Sequence, residues 1–197
     1  MGVLILVISC GLLFLYYSKD IILYSLRNRE DYVESSKLFR VAEDSYRSGY
    51  LENSAVSYYN YLNTNPSKVN KILTYKRLFE INVLRGDFAA AFDILDQHEK
   101  LSPNDLFVGI NRLKLLLREE NFPAAKIFID ANYNRLKKSP EFIDLVGTYY
   151  MMQENYERAL KELEKIPVRK RDYSFTKKIV HCYVKQNQLS KALSCLH

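Results

Sequence analysis

The chain has 197 residues, 48% of them hydrophobic and 26% charged, with a net charge of +6. This composition is that of an ordinary globular chain, and it excludes a collagenous or low-complexity protein. Six glycines, five prolines and no tryptophan favour helices over a turn-rich β fold.

Residues 1–17 read MGVLILVISCGLLFLYY, and no charged side chain precedes Lys19. A spanning helix needs about 17–25 apolar residues. The run therefore predicts a transmembrane anchor over 1–18, with Tyr16 and Tyr17 at the aromatic-belt level and Lys19 snorkelling. A juxtamembrane helical linker over 19–34 and a repeat domain over 35–197 follow. Two readings compete with the anchor: a cleaved signal peptide, and a lipoprotein processed just before Cys10. The expected location is the inner (cytoplasmic) membrane, crossed once. Lys19, Arg27 and Arg29 after the span place the domain in the cytoplasm by the positive-inside rule. The near absence of an N-terminal tail argues instead for translocation to the periplasm, so the side stays open.

From residue 35 onward a pattern recurs. Small residues stand at Ser54, Ala91, Ala125, Ala159 and Ala192, separated by 37, 34, 34 and 33 residues. An aromatic or leucine lies three residues before each: Leu51, Phe88, Phe122, Tyr156 and Leu189. Each pair of helices carries an apolar stripe that it cannot bury alone, and stacking on the next pair buries it. A small residue at one fixed spot lets helices approach most closely. Pro66 and Pro103 mark the ends of second helices. The long first interval places its excess in residues 67–71. Ile110, Leu113 and Leu117 suggest that the first helix of the third unit is shifted by one residue, because strict counting puts Gly109 and Arg112 at core positions.

The 34-residue period resembles the tetratricopeptide repeat, a helix–turn–helix unit. The fourth unit carries the likeness through Ile143, Val146, Gly147, Tyr150, Asn155, Tyr156 and Ala159. The second carries it through Gly86, Asp87, Phe88, Ala91, Leu95 and Pro103. The resemblance implies a right-handed α-solenoid of about five repeats, so the expected fold is all-α, with the transmembrane helix read from residues 1–18 placed before it. Phe79 departs from the pattern, standing where the family prefers a small residue.

No catalytic constellation stands in the sequence. His98, His181 and His197 have no metal-ligand spacing, and no Gly-rich phosphate loop exists. His181 and Cys182 are neighbours that point about 100° apart on a helix, which argues against a Cys–His nucleophile. Three scattered cysteines make no disulfide framework; a Cys182–Cys195 bridge competes with two buried free thiols. No enzyme activity, cofactor or metal is expected.

Family resemblance implies a protein-binding concave face lined by first helices. Its candidates are Phe39, Glu43, Tyr46 and Arg47 in the first unit, and Lys76, Glu80 and Val83 in the second. The third unit offers Phe107, Ile110 and Lys114, the fourth Asp144, Thr148 and Met151, the fifth Lys177, His181 and Lys185. Phe39 and Glu43 depart from the carboxylate clamp of chaperone-tail receptors, which disfavours that role. The competing reading is a merely solvated face. A basic patch, Arg169, Lys170, Arg171, Lys177 and Lys178 around a single Asp172, suits acidic protein, anionic headgroups or, least of all, nucleic acid. It also suits a plain soluble loop.

The resemblance further implies a membrane-anchored scaffold in a bacterial envelope machine such as a flagellar motor or secretion complex. The alternative is a regulatory or quality-control adaptor presenting substrates to a membrane protease or chaperone. Protein partners in a membrane-associated complex are expected, nucleic acid is not, and the apolar terminal repeat near Leu196 points to an end-on partner or self-association.

Overall fold

The computed structural model describes residues 27, 29 and 33–195. Their regular structure is helical throughout: α1 (33–47), α2 (Leu51–Asn63), α3 (Lys68–Arg85), α4 (Phe88–Leu101), α5 (Leu106–Arg118), α6 (Phe122–Leu136), α7 (Pro140–Met152), α8 (Tyr156–Leu163), α9 (Tyr173–Lys185) and α10 (Leu189–Ser194). A single 3₁₀ turn, Val168–Lys170, joins α8 to α9.

The turn inside each repeat is built the same way. Gly49, Gly86, Glu120, Glu154 and Asn187 all have positive φ, between 53° and 79°. Each stands five residues before the small residue of its repeat. In the third repeat the Asn121 N–H reaches back to the Leu116 carbonyl, and in the fourth Asn155 reaches Tyr150, both at 2.9 Å. These bonds close the helix end in the Schellman manner. The next residue then opens the following helix. Asp87 accepts from the Ala90 N–H at 3.1 Å, Asn121 from Ala124 at 3.2 Å and Asn155 from Arg158 at 3.1 Å. In the second, third and fourth repeats a left-handed residue followed by Asp or Asn is thus both stop and start signal, whereas Tyr50 and Gln188 open α2 and α10 without a side-chain cap.

The chain divides into two compact units, with the boundary after Arg85. In the first unit Ala42, Tyr58, Leu78 and Ile81 are fully buried. Ser54, also fully buried, donates to the Ala42 carbonyl at 2.9 Å. A serine at the repeat's small position therefore both permits the approach of α1 and α2 and satisfies its own hydroxyl. The long first interval is taken up by helix, not loop. α3 has 18 residues where α5, α7 and α9 have 13 each, and its extra turn starts at Lys68.

In the second unit one core runs from Ile110 to Cys182 and includes Leu113, Ala125, Phe142, Val146, Ala159, Leu163 and Ile179. α5 begins 34 residues before α7, so no one-residue shift occurs. Gly109 is a tight contact: a Cβ there would come within 2.9 Å of Leu136 Cδ1. Arg112 fits its core-side position by bridging to Asp96 at 2.6 Å and Glu99 at 3.1 Å on α4. α4 and α5 are further tied by Asp105, which caps α5 through the Phe107 N–H and pairs with buried His98 Nε2 at 3.0 Å.

The expectation of a single-pass inner-membrane protein needs correction. Among the described residues, no helix is long and apolar enough to cross a membrane. The described helices are amphipathic, each burying one stripe and wetting the other, which is incompatible with a lipid environment on all sides. The apolar run 1–18, on which the anchor reading rested, lies outside the described residues, as does most of 19–34.

Candidate functional site

In the first unit the first-helix residues α1 and α3 are linked by side chains one repeat apart. Arg77 Nε donates to Glu43 at 3.0 Å, and the Tyr46 hydroxyl donates to Glu80 Oε2 at 3.0 Å; both pairs are separated by 34 residues. Arg77 also reaches Glu80 at 3.1 Å and lies 4.9 Å from the centre of the Tyr46 ring. The buried Tyr58 hydroxyl of α2 donates to Glu43 as well, while Arg47 stands 3.8 Å from it. The result is a closed network in which each charge has an opposite neighbour. Phe39 packs on Tyr58 and Tyr61 at ring distances of 6.0 and 5.0 Å, so its ring belongs to the α1–α2 contact. Lys76 and Val83 are half-buried on α3.

Burial opposes the Glu43 charge, but hydrogen bonds from Tyr58 and Arg77 outweigh it and hold the carboxyl below its ordinary value. A carboxylate lowered in the folded state contributes stability that is present above its unfolded pKa. That contribution is lost as pH falls through the folded value. The melting temperature is therefore expected to drop as pH is lowered from about 5 to about 3, the ordinary carboxylate range. In Glu43→Gln the drop becomes shallower. Circular-dichroism melts of both proteins across this range check it, and parallel curves would refute it.

In the second unit the same ladder spacing appears between α7 and α9. Lys178 Nζ donates to Asp144 at 2.6 and 2.7 Å and to Thr148 Oγ1 at 3.0 Å. Lys114 of α5 pairs with Glu141 of α7 at 2.5 Å. Met151 is half-buried against the core. Phe107 stacks on His98 at 5.7 Å, and Ile110 is 4% exposed, so these two serve the interior. Lys177, His181 and Lys185 are exposed on α9, with His181 edge-on to the Tyr156 ring at 5.9 Å.

The basic patch separates into two groups. Arg171 donates to the carbonyls of Ile166 at 2.8 Å and Glu164 at 3.2 Å. It thereby satisfies the open carbonyls just past α8, where a cation is favoured. Lys178 is held by Asp144 and Thr148 as described. Arg169, Lys170 and Lys177 are exposed. Arg77 and Glu141 escaped the sequence reading. A charge opposite to Glu43 one repeat later was the signal for Arg77, and the same rule links Asp144 to Lys178.

Cys182 and Cys195 are both free. Cys182 is fully buried, and burial pushes its thiol up to about 11, while His181 faces solvent. The two side chains point about 100° apart on α9, one into the core and one into solvent, and do not face each other. Among the described residues no group of three or more His, Cys, Asp or Glu side chains could hold a metal ion.

No family model matches the chain, and no curated protein does. Solved structures do. MamA 41-end from Desulfovibrio magneticus RS-1 is 16% identical with a TM-score of 0.64, covering 82% of this chain and 91% of that one. PilF from Pseudomonas aeruginosa is 13% identical with a TM-score of 0.65, over 84% and 75% respectively. A tetratricopeptide repeat protein from Parabacteroides merdae ATCC 43184 is 15% identical with a TM-score of 0.63, over 82% and 62%. Likeness at such identities reports architecture, and with the repeated turn and ladder spacing it shows that the chain has the tetratricopeptide-type helical-repeat fold.

Proposed function

We propose that the chain is a protein-binding adaptor whose first-helix face on α7 and α9 holds a segment of a partner protein. The observation that carries this reading is the Lys178–Asp144–Thr148 linkage. It fixes α7 against α9 and leaves Met151 half-buried and Lys177, His181 and Lys185 exposed beside it. A rigid surface with both apolar and charged groups suits a helical or extended segment, which offers the same mixture. No arrangement of nucleophile, base and orienting group accompanies it, so binding is the chemistry this face supports.

A photo-crosslinking residue at Thr148 or Lys177, in cells, is expected to capture one partner in stoichiometric yield. The same residue at Ile127, 71% exposed on α6, is expected to capture little. Equal capture from all three positions, or none from any, would overturn the reading. Mass-spectrometric identification of the partner then tests the finer proposal, a standing component of a secretion or motor complex.

A further inference from the structure

Charge on the first-helix faces is largely answered from within the chain. Glu43, Arg77 and Glu80 answer one another, Glu141 answers Lys114, and Asp144 answers Lys178. Beyond Lys178 the answering stops. From Lys165 to Lys191 the chain carries eight lysines and arginines and one acid, Asp172. That acid is spent on capping α9 through the Phe175 N–H at 2.8 Å. Lys165 is held by Glu162 and the Tyr133 hydroxyl, Arg171 by backbone carbonyls, and Lys191 lies over the Tyr183 ring. Arg169, Lys170, Lys177 and Lys185 have no acidic partner among the described residues.

Three of the exposed groups recur every fourth residue. Lys177, His181 and Lys185 therefore share one face of α9, over about 12 Å of helix. Val184, next to Lys185, is 48% exposed. Met151, at the matching place on α7 one repeat earlier, is half-buried. The face combines an unanswered row of donors with one exposed apolar side chain, Val184.

We propose that this face of α9, with Arg169 and Lys170 at its N-terminal end, docks an acidic amphipathic helix of a partner protein. The inference rests on the protein-binding reading and names the chemistry of the partner. Carboxylates four residues apart on such a helix match the spacing of the α9 row, and its apolar stripe meets Val184. Charge complementarity steers the encounter and sets specificity. A second copy of this chain brings the same positive row, so a symmetric pairing of the two rows is repelled. Single-stranded nucleic acid stacks successive bases on several open aromatic faces, and this row offers one, Tyr173 at 82% exposure, while Tyr156 beside His181 is half-buried.

The test uses the full chain and a fluorescein-labelled helical peptide carrying Glu at every fourth position and Leu on the adjoining stripe. Binding by the unmodified chain is expected to weaken steeply with added salt. It is expected to fall about tenfold or more in Lys177→Glu/Lys185→Glu. The control Lys137→Glu/Lys138→Glu changes net charge equally at exposed positions elsewhere and keeps full affinity. Thermal melts of both variants fall slightly and alike, because all four side chains are exposed and each pair includes one lysine at a helix C-terminal end, Lys185 of α9 and Lys137 of α6. No binding of the peptide, or equal losses in both variants, overturns the inference. So does tighter binding of a thymidine oligonucleotide or of phosphatidylserine vesicles than of the peptide. Crosslinking from Thr148 distinguishes the two levels: capture that persists unchanged in Lys177→Glu/Lys185→Glu leaves the adaptor reading standing while the acidic-helix inference falls.

Discussion

Ala91→Leu is expected to cost the protein about 3 kcal/mol, a fall in melting temperature of roughly 6–12 °C for a chain of this size. Ala91 is fully buried on α4, in line with Leu95 and His98, which are fully buried one and two turns on. Three added carbons at that point have no void to enter, because side chains already fill the interior at close-packed density. They must push α4 away from the helices it rests on. Ala89, two residues earlier, is exposed. Ala89→Glu is expected to shift the melting temperature by no more than about 1–2 °C, as surface changes away from special features do. Differential scanning calorimetry of the two variants decides the matter. Similar shifts from both would mean that the 34-residue register assigned to this stretch is wrong.

Gly147→Ala is the second large expectation, and its sign is the informative part. In an exposed helix, replacing glycine by alanine gains about 1 kcal/mol. Here the new Cβ would lie 2.4 Å from Leu163 Cδ2 and 2.6 Å from its Cγ. Leu163, the last residue of α8, is itself fully buried in the core, so its side chain has nowhere to swing. Overpacking of this kind costs about 1–3 kcal/mol, and the variant is expected to come out about 1–2 kcal/mol less stable after the helix gain. Leu163→Ala alone is destabilising through the cavity it leaves, but the double variant is expected to lose less than the sum of the two. Chemical denaturation of the three proteins measures the coupling. A stabilised Gly147→Ala would show that α7 and α8 are further apart than described. Gly109→Ala, whose Cβ meets only the end of Leu136 at 2.9 Å, is the milder companion.

The two cases show which parts of the architecture were legible in the amino acids. The small residues Ser54, Ala91, Ala125, Ala159 and Ala192 were read as one repeated contact, and all five are buried. Gly86–Asp87 was legible as a turn because glycine takes a positive φ freely and aspartate caps a helix. The same turn at Glu120–Asn121 and Glu154–Asn155 was not, since glutamate is an unlikely residue for a left-handed position. Only the geometry of the helix end, imposed by packing on both sides, puts it there. Arg112 illustrates the opposite error. A charge at a core-side position conflicts with an apolar stripe, yet Asp96 and Glu99 on the preceding helix pair with it.

Repeat register puts the candidate residues of the binding face on first helices. Side chains were assigned to it by register, and register cannot say whether a group is answered by a neighbour. Glu43, Tyr46 and Glu80 turn out to be joined through Arg77, and Lys178 to be joined to Asp144, because successive first helices stand side by side and set residues 34 apart within hydrogen-bond reach. Lys177, one residue away, points to solvent.

The amino-acid sequence by itself determined the helical class, the period and the contact alanines, since these follow from apolar spacing and side-chain size along one chain. The tertiary structure alone decided which charges are spent inside the protein and which remain for a partner. An ion pair depends on distances between helices far apart in sequence, and those distances exist only once the cores have packed.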